Sequence, residues 1–169
     1  MNTVSFVLMV SNEEPAYFLQ ASQCIKLSMF ENDEFIIIID DEHYNNQLNY
    51  ILENKQFILQ NNIYLFHHNL NNNFAEHRNF ALSKCKCDYI FMLDCDEYVS
   101  FIEMRALHTL DSKINAAKIP RINKVLGLTN KELNENDAIL NNIIKYPDFQ
   151  TRFIKNKIGI FLLENVMKK

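Results

Sequence analysis

Six side chains stand in the sequence where their types and spacing could do chemistry: Glu13, Asp40, Asp41, Arg78, Asp94 and Asp96. The sharpest element is Asp94-Cys95-Asp96, which follows the hydrophobic run Tyr89-Ile90-Phe91-Met92-Leu93. Two carboxylates one residue apart can both turn toward a polyvalent cation once the chain bends out of a sheet. Such hard oxygen ligands suit Mg²⁺ or Mn²⁺ better than Zn²⁺. The bare tripeptide is common, and its place at the end of an apolar strand gives it weight. Asp40-Asp41 ends a second apolar run and Ser11-Asn12-Glu13 ends a third. Taken singly, each cluster reads as a solvated turn or a helix cap. Gathered on one rim, the carboxylates repel one another unless a cation or a hydrogen-bonding ligand sits among them.

The elements that must bring these residues together are legible in the apolar periodicity. Val4 to Val10, Glu34 to Ile39, Ile63 to Phe66 and Tyr89 to Leu93 read as strands. Helices are predicted between them. One opens at Ser11 and Glu14, which have capping-box spacing, with Pro15 in its first turn. A short one covers Asn45 to Asn54. Another covers Phe74 to Lys84, burying Phe74, Ala81 and Leu82 or their neighbours, and a last one opens on the Ser100/Glu103 capping box and runs through Leu110. Strands alternating with helices imply right-handed crossovers and a mainly parallel sheet, with ligands at the strand carboxyl ends. After Leu110 the alternation weakens. Ala116 to Ile122 is a candidate strand, and Asn130 to Asn142 reads as a polar loop. Thr151 to Ile154 and Gly159 to Leu163 read as two short strands. The expectation is one α/β domain over residues 1–169, three-layered and Rossmann-like.

Composition narrows the function classes. The chain has 169 residues, 48% hydrophobic and 22% charged, as a globular domain requires. A net charge of -4 argues against a protein that grips nucleic acid backbone. The longest apolar run, Phe35 to Ile39, is far short of a membrane span, and no basic signal-peptide start is present, so a cytoplasmic protein is expected. Four cysteines, none in CxxC spacing, fit reduced thiols rather than a disulfide scaffold or a zinc site. His67 and His68 read as a loop-entry pair at the surface.

Two stretches carry a family resemblance: Phe74-Ala75-Glu76-His77-Arg78-Asn79-Phe80-Ala81-Leu82 and Cys87 through Glu97. Together they resemble family 2 glycosyltransferases of the GT-A fold, and more narrowly the lipopolysaccharide-core and β-glycosyl transferase branch. Val4 to Glu14, Phe35 to Asp41, and Tyr146 to Asn156 fall in the order that family requires. The resemblance implies a nucleotide-sugar donor, a divalent metal (Mn²⁺ or Mg²⁺), and a hydroxyl acceptor on a glycan or a lipid-linked glycan, with peripheral membrane contact through that acceptor. It implies that Asp40 or Asp41 bonds the nucleoside, with Glu13 near the base or ribose. Arg78 would lie near the nucleotide, either as a charge for the diphosphate or as support for the acid cluster, with Asp94 by ribose and metal and Asp96 on the metal bridging the diphosphate. Residues 1–110 would form the donor half and 111–169 an abbreviated acceptor half.

The departures bear on activity. The family's Asp-Gly-Ser-Thr-Asp turn is here Asp41-Glu42-His43-Tyr44-Asn45, and its Val-His-Glu is Val166-Met167-Lys168. The general base is not fixed by the matched stretches, and Glu164 and Asp148 are the candidates. Two other functions stay open. One is a non-catalytic nucleotide-sugar-binding remnant or accessory domain. The other is a phosphohydrolase of the haloacid dehalogenase type, which also uses Asp-x-Asp after a strand but most often after the first one.

Overall fold

The computed structural model describes residues 1–42, 52, 62–124, 139–140 and 143–156. Its elements are β1 (Val4–Val10), α1 (Pro15–Ser28), β2 (Glu34–Ile39), β3 (Ile63–His67), α2 (Phe74–Lys84), β4 (Tyr89–Asp94), α3 (Phe101–Ala106), a 3₁₀ turn (Leu107–Thr109), β5 (Ala116–Lys124), β6 (Ile139–Leu140) and β7 (Ile143–Lys155). The strands form one mixed sheet in the order β3-β2-β1-β4-β7-β5, with β6 on β7. β1, β2, β3 and β4 run parallel. β7 runs antiparallel to β4, β5 and β6.

Both faces of the sheet are covered, and the strict alternation of each strand decides which face a side chain joins. Val4, Phe6, Leu8 and Val10 of β1 pack with Phe35, Ile37, Ile39, Tyr89, Phe91 and Leu93 against Phe18, Ala21 and Ile25 of α1 and Met104 of α3. Val7, Met9, Ile36, Ile38, Ile90 and Met92 pack on the opposite face with Ala81 of α2. Three layers result. Tyr89 stacks on Phe153 at 4.7 Å, and its hydroxyl donates to the Ser112 and Ile114 carbonyls at 3.0 and 3.1 Å, which ties β4 to β7 and to the approach to β5.

Several expectations are refined. Ser100 and Glu103 form the expected capping box, although the helix gives way to the 3₁₀ turn after Ala106. The box at Ser11 does not form. α1 starts at Pro15 behind Glu14, and the Glu13 carboxylate instead accepts the Ser11 N–H at 2.6 Å. α2 turns His77 and Ala81 inward and leaves Phe74 55% exposed. The strand expected at Thr151 to Ile154 belongs to the 13-residue β7, and Ile139–Leu140, expected in a loop, pairs with β7 as β6. The helix expected at Asn45 to Asn54, apart from the buried helical Leu52, lies outside the described residues, as does the strand expected at Gly159 to Leu163.

Candidate active site at the strand carboxyl ends

The connections run from β1 outward to β2 and β3, then return across the sheet to β4 on the other side of β1. The strand order therefore reverses between β1 and β4, and in an open α/β sheet that switch point is where a crevice opens. A cleft of about 260 Å³ lies there, lined by residues that include Ser11, Glu13, Asp40, His77, Arg78, Asp94 and Asp96. β2 and β4 flank β1, so Asp40 and Asp94 are roughly 10 Å apart by strand spacing alone. Of the residues singled out from sequence, the cleft brings together Glu13, Asp40, Arg78, Asp94 and Asp96.

Asp40 is 1% exposed and fixes the β2 end of the cleft. Its Oδ1 accepts the N–H groups of Leu70 and Glu42 at 3.0 and 3.2 Å, and its Oδ2 accepts the Ser11 hydroxyl at 3.2 Å. It thus joins the loops after β1, β2 and β3. Asn71 and Asn72 let the third loop turn, with φ of 48° and 55°, a conformation asparagine tolerates better than most residues. Asp41 points elsewhere. It bonds His67 Nδ1 at 2.6 Å and does not line the cleft. His68 and His77 meet Nδ1 to Nδ1 at 3.0 Å, and His68 stacks on Phe80. Burial, and then the neighbouring His68, hold the His77 imidazole below its ordinary pKa, with Arg78 adding to the effect and Asp40 opposing it.

The Asp-x-Asp sits in a tight turn. Glu97 N–H donates to the Asp94 carbonyl at 3.0 Å, and the Glu97 carboxylate accepts the Asp94 N–H at 3.1 Å. Cys95 is buried beneath the turn, and Asp96 is exposed at its tip. Asp94 falls on the α2 face of β4, where Arg78 Nη2 donates to its two oxygens at 3.1 and 3.0 Å. Arg152, in β7, donates from its own Nη2 to Asp94 Oδ2 at 2.9 Å and also to Glu97 Oε1. Burial alone would raise the Asp94 pKa, but Arg152 and then Arg78 more than reverse it and hold the carboxyl below its usual range. Glu13 behaves oppositely. Burial raises its pKa, its bonds with backbone N–H groups lower it, and the nearby Asp96 and Asp94 add to the rise.

The charge chain continues to the outer strands. Arg121 of β5 donates to Glu97 Oε1 at 3.3 Å and to Asp148 Oδ2 at 3.1 Å from Nε and 2.8 Å from Nη2. Asp148 also accepts from Asn123 at 3.2 Å and from Gln150 at 2.9 Å. Those side-chain hydrogen bonds hold its carboxyl below the usual range, so it binds protons poorly. Glu164 lies outside the described residues. Arg121 is missed from the sequence, while Glu97, in the acidic cluster after β4, and His77 and Arg152, in the family-like stretches, receive no role of their own there. The one local signal is Arg152, a charge beside Phe153 and Ile154 on a strand that enters the core.

Four carboxylates line the cleft against one guanidinium. Among the described residues no three His, Cys, Asp or Glu side chains are grouped to hold a metal ion by themselves, and no helix is long and apolar enough to cross a membrane. The profile of glycosyl transferase family 2 matches residues 5–161, and the chain belongs to that family. No curated protein matches it. Among solved structures it is similar to mannosyltransferase PcManGT from Pyrobaculum calidifontis, solved with GDP-Man and Mn²⁺, with 14% identity, TM-score 0.55, and coverage of 70% of this chain and 35% of that one. It is also similar to S. aureus TarS 1-349, with 18% identity, TM-score 0.52, and coverage of 63% and 31%. The fold is therefore GT-A, and the chain spans about a third of the length of either relative.

Proposed function

We propose that the cleft binds the nucleoside diphosphate part of a sugar nucleotide, with a divalent ion, for transfer of the sugar to a hydroxyl of a glycan or lipid-linked acceptor. The observation that carries this reading is the placement of Asp40 and Asp96 at opposite ends of one crevice at the switch point. Asp40, already rigid, takes the nucleoside end with Glu13 beside it. Arg78, about a third exposed, faces the diphosphate while it holds Asp94. Asp96 supports the metal, because its exposed carboxylate stands at the tip of a braced turn. Asp94 joins it through position rather than as a first choice of ligand, since both its oxygens accept guanidinium N–H groups.

The donor set fits Mn²⁺ or Mg²⁺. Such ions are held by one or two carboxylates, completed by substrate phosphates and water, and the cleft offers carboxylates without a closed protein cage. The chemistry a bound ion supplies is neutralisation of the charge gathering on the departing diphosphate. The chain's own acids would otherwise repel that diphosphate. Residues 1–110 serve as the donor half and 111–169 as the acceptor side, with Asp148 and Glu164 as its candidate general bases. Asp148, saturated with donors, fits the role of an organiser better than that of a proton acceptor. The unpaired cysteines accord with a cytoplasmic setting. PcManGT, similar in fold, was solved with GDP-Man and Mn²⁺, which supports the ligand class.

The test is a thermal-shift series with UDP and GDP, each with and without Mn²⁺. A ligand at 100 times its Kd adds about 2.7 kcal/mol of stability. Stabilisation by nucleotide and Mn²⁺ together, exceeding the sum of each alone, is expected. No stabilisation by either nucleotide in the presence of Mn²⁺ or Mg²⁺ would refute the reading.

A further inference from the structure

Arg152 is 6% exposed, and a guanidinium taken out of water is costly unless its partners are well placed. Its Nη2 meets two carboxylates at once, Asp94 Oδ2 at 2.9 Å and Glu97 Oε1. Its Nε is buried without a hydrogen-bond partner. An arginine that leaves one donor unmet, while a single nitrogen bridges two acids, is oriented for those two acids. They are the first and last residues of the turn Asp94-Cys95-Asp96-Glu97, already closed by two hydrogen bonds between residues 94 and 97. Arg121 donates to the same Glu97 oxygen at 3.3 Å. Arg152 itself does not line the cleft.

We propose that Arg152 is a positioning residue for the metal-binding turn. Resting on the functional reading above, it draws Asp94 back against β7 and locks both ends of the turn, so that Asp96 is presented to the cation in one direction. A carboxylate held within a narrow range of directions binds without first paying to be ordered. The contact joins β7 to the turn at the end of β4.

The experiment is calorimetry of Mn²⁺ with GDP and Mn²⁺ with UDP against wild type, Arg152→Met, Arg152→Lys, Glu97→Gln and the Arg152→Met/Glu97→Gln double variant. Metal-free nucleotide is titrated in parallel. Loss of a supporting partner at a metal site typically costs 10–100-fold. Arg152→Met is expected to weaken the metal-dependent affinity about tenfold while metal-free nucleotide affinity stays within about twofold. Lysine recovers part of the loss, and the double variant loses no more than the worse single one, because both residues act through the same turn. A general structural lesion would lower both affinities together and add across the two sites. Wild-type affinity in Arg152→Met, or equal losses with and without metal, overturns the proposal. Should Arg152→Met not fold, Arg152→Lys and Glu97→Gln decide it by the same two affinities. If wild-type binding needs no metal, this inference and the metal role both fall. If it needs metal but Arg152 is neutral, only this inference falls.

Discussion

Replacing Asp94 with asparagine keeps the side chain's shape and removes its charge, which isolates what the carboxylate does for the fold. Arg78 and Asp94 are about 31% and 28% exposed, so that pair is worth only about 0.5 kcal/mol. The bond from Arg152 is different, because the guanidinium stays buried when its partner is neutralised. Hydrogen bonds to charged groups contribute roughly 1.5–3 kcal/mol. Glu97 still holds Arg152, which keeps the loss below the ~3–5 kcal/mol of a buried pair fully broken. The expected destabilisation is therefore about 2–3 kcal/mol, or a Tm lower by roughly 4–12 °C for a chain of this size. The pH dependence gives a second check. The folded Asp94 pKa lies below its ordinary value, so its contribution is present above the unfolded pKa of about 3.9 and is lost as pH falls through the folded value. The gap between wild type and Asp94→Asn should be constant from about pH 5 to 7 and close below about pH 4. Urea unfolding followed by circular dichroism, with equal slopes, measures it. A difference under about 0.5 kcal/mol at pH 7, the size of an ordinary surface change, would refute the reasoning.

Two further predictions concern groups around the cleft. The folded His77 imidazole resists protonation, so the unfolded chain takes up the proton first and stability falls as pH drops through about 6.5; His77→Gln should lose less stability between pH 7.5 and 5.5 in urea titrations, and an unchanged slope would contradict this. Burial, and then Glu34, push the Cys85 thiol up to about 12, and burial with the nearby Glu13, Asp96 and Asp94 raises Cys95 further; since the thiolate is the reactive form, iodoacetamide at pH 8 should label half-buried Cys24 in the native protein and spare Cys85 and Cys95 until urea is added, as read by peptide mass mapping.

The parallel half of the fold is legible because its signals are local. Apolar runs mark β1 to β4 within a residue or so at either end, and the Asp-x-Asp stands out because it follows one of them. The capping box at Ser100 reads correctly, while the one at Ser11 fails because Glu13, one residue nearer, takes the Ser11 N–H. The sequence leaves the buried face of α2 between neighbours for a similar reason. Two neighbouring faces of an 11-residue helix are both plausible, and the sheet selects the one carrying His77 and Ala81. β7 is harder. Its inward face alternates Asp148, Gln150 and Arg152, polar because Asp148 meets Arg121 and Arg152 meets Asp94 and Glu97, and those partners lie 27 to 58 residues away in the chain. No periodicity encodes such pairs, so the acids of the site and Arg78 are readable, and Arg152 and Arg121, which hold those acids from β7 and β5, are not.

Whether a divalent ion and Asp96 together hold a nucleoside diphosphate in the cleft is decided by calorimetry of GDP and UDP against wild type and Asp96→Ala, each with and without Mn²⁺. Asp96 is exposed at the tip of its turn, so the variant should fold as well as wild type, and a lost affinity then reports on the site. Mn²⁺ should strengthen nucleotide binding to wild type at least tenfold, and Asp96→Ala should remove most of that gain while leaving the weak metal-free affinity in place. Equal affinities with and without Mn²⁺ in wild type, or a full Mn²⁺ effect retained in Asp96→Ala, would contradict it.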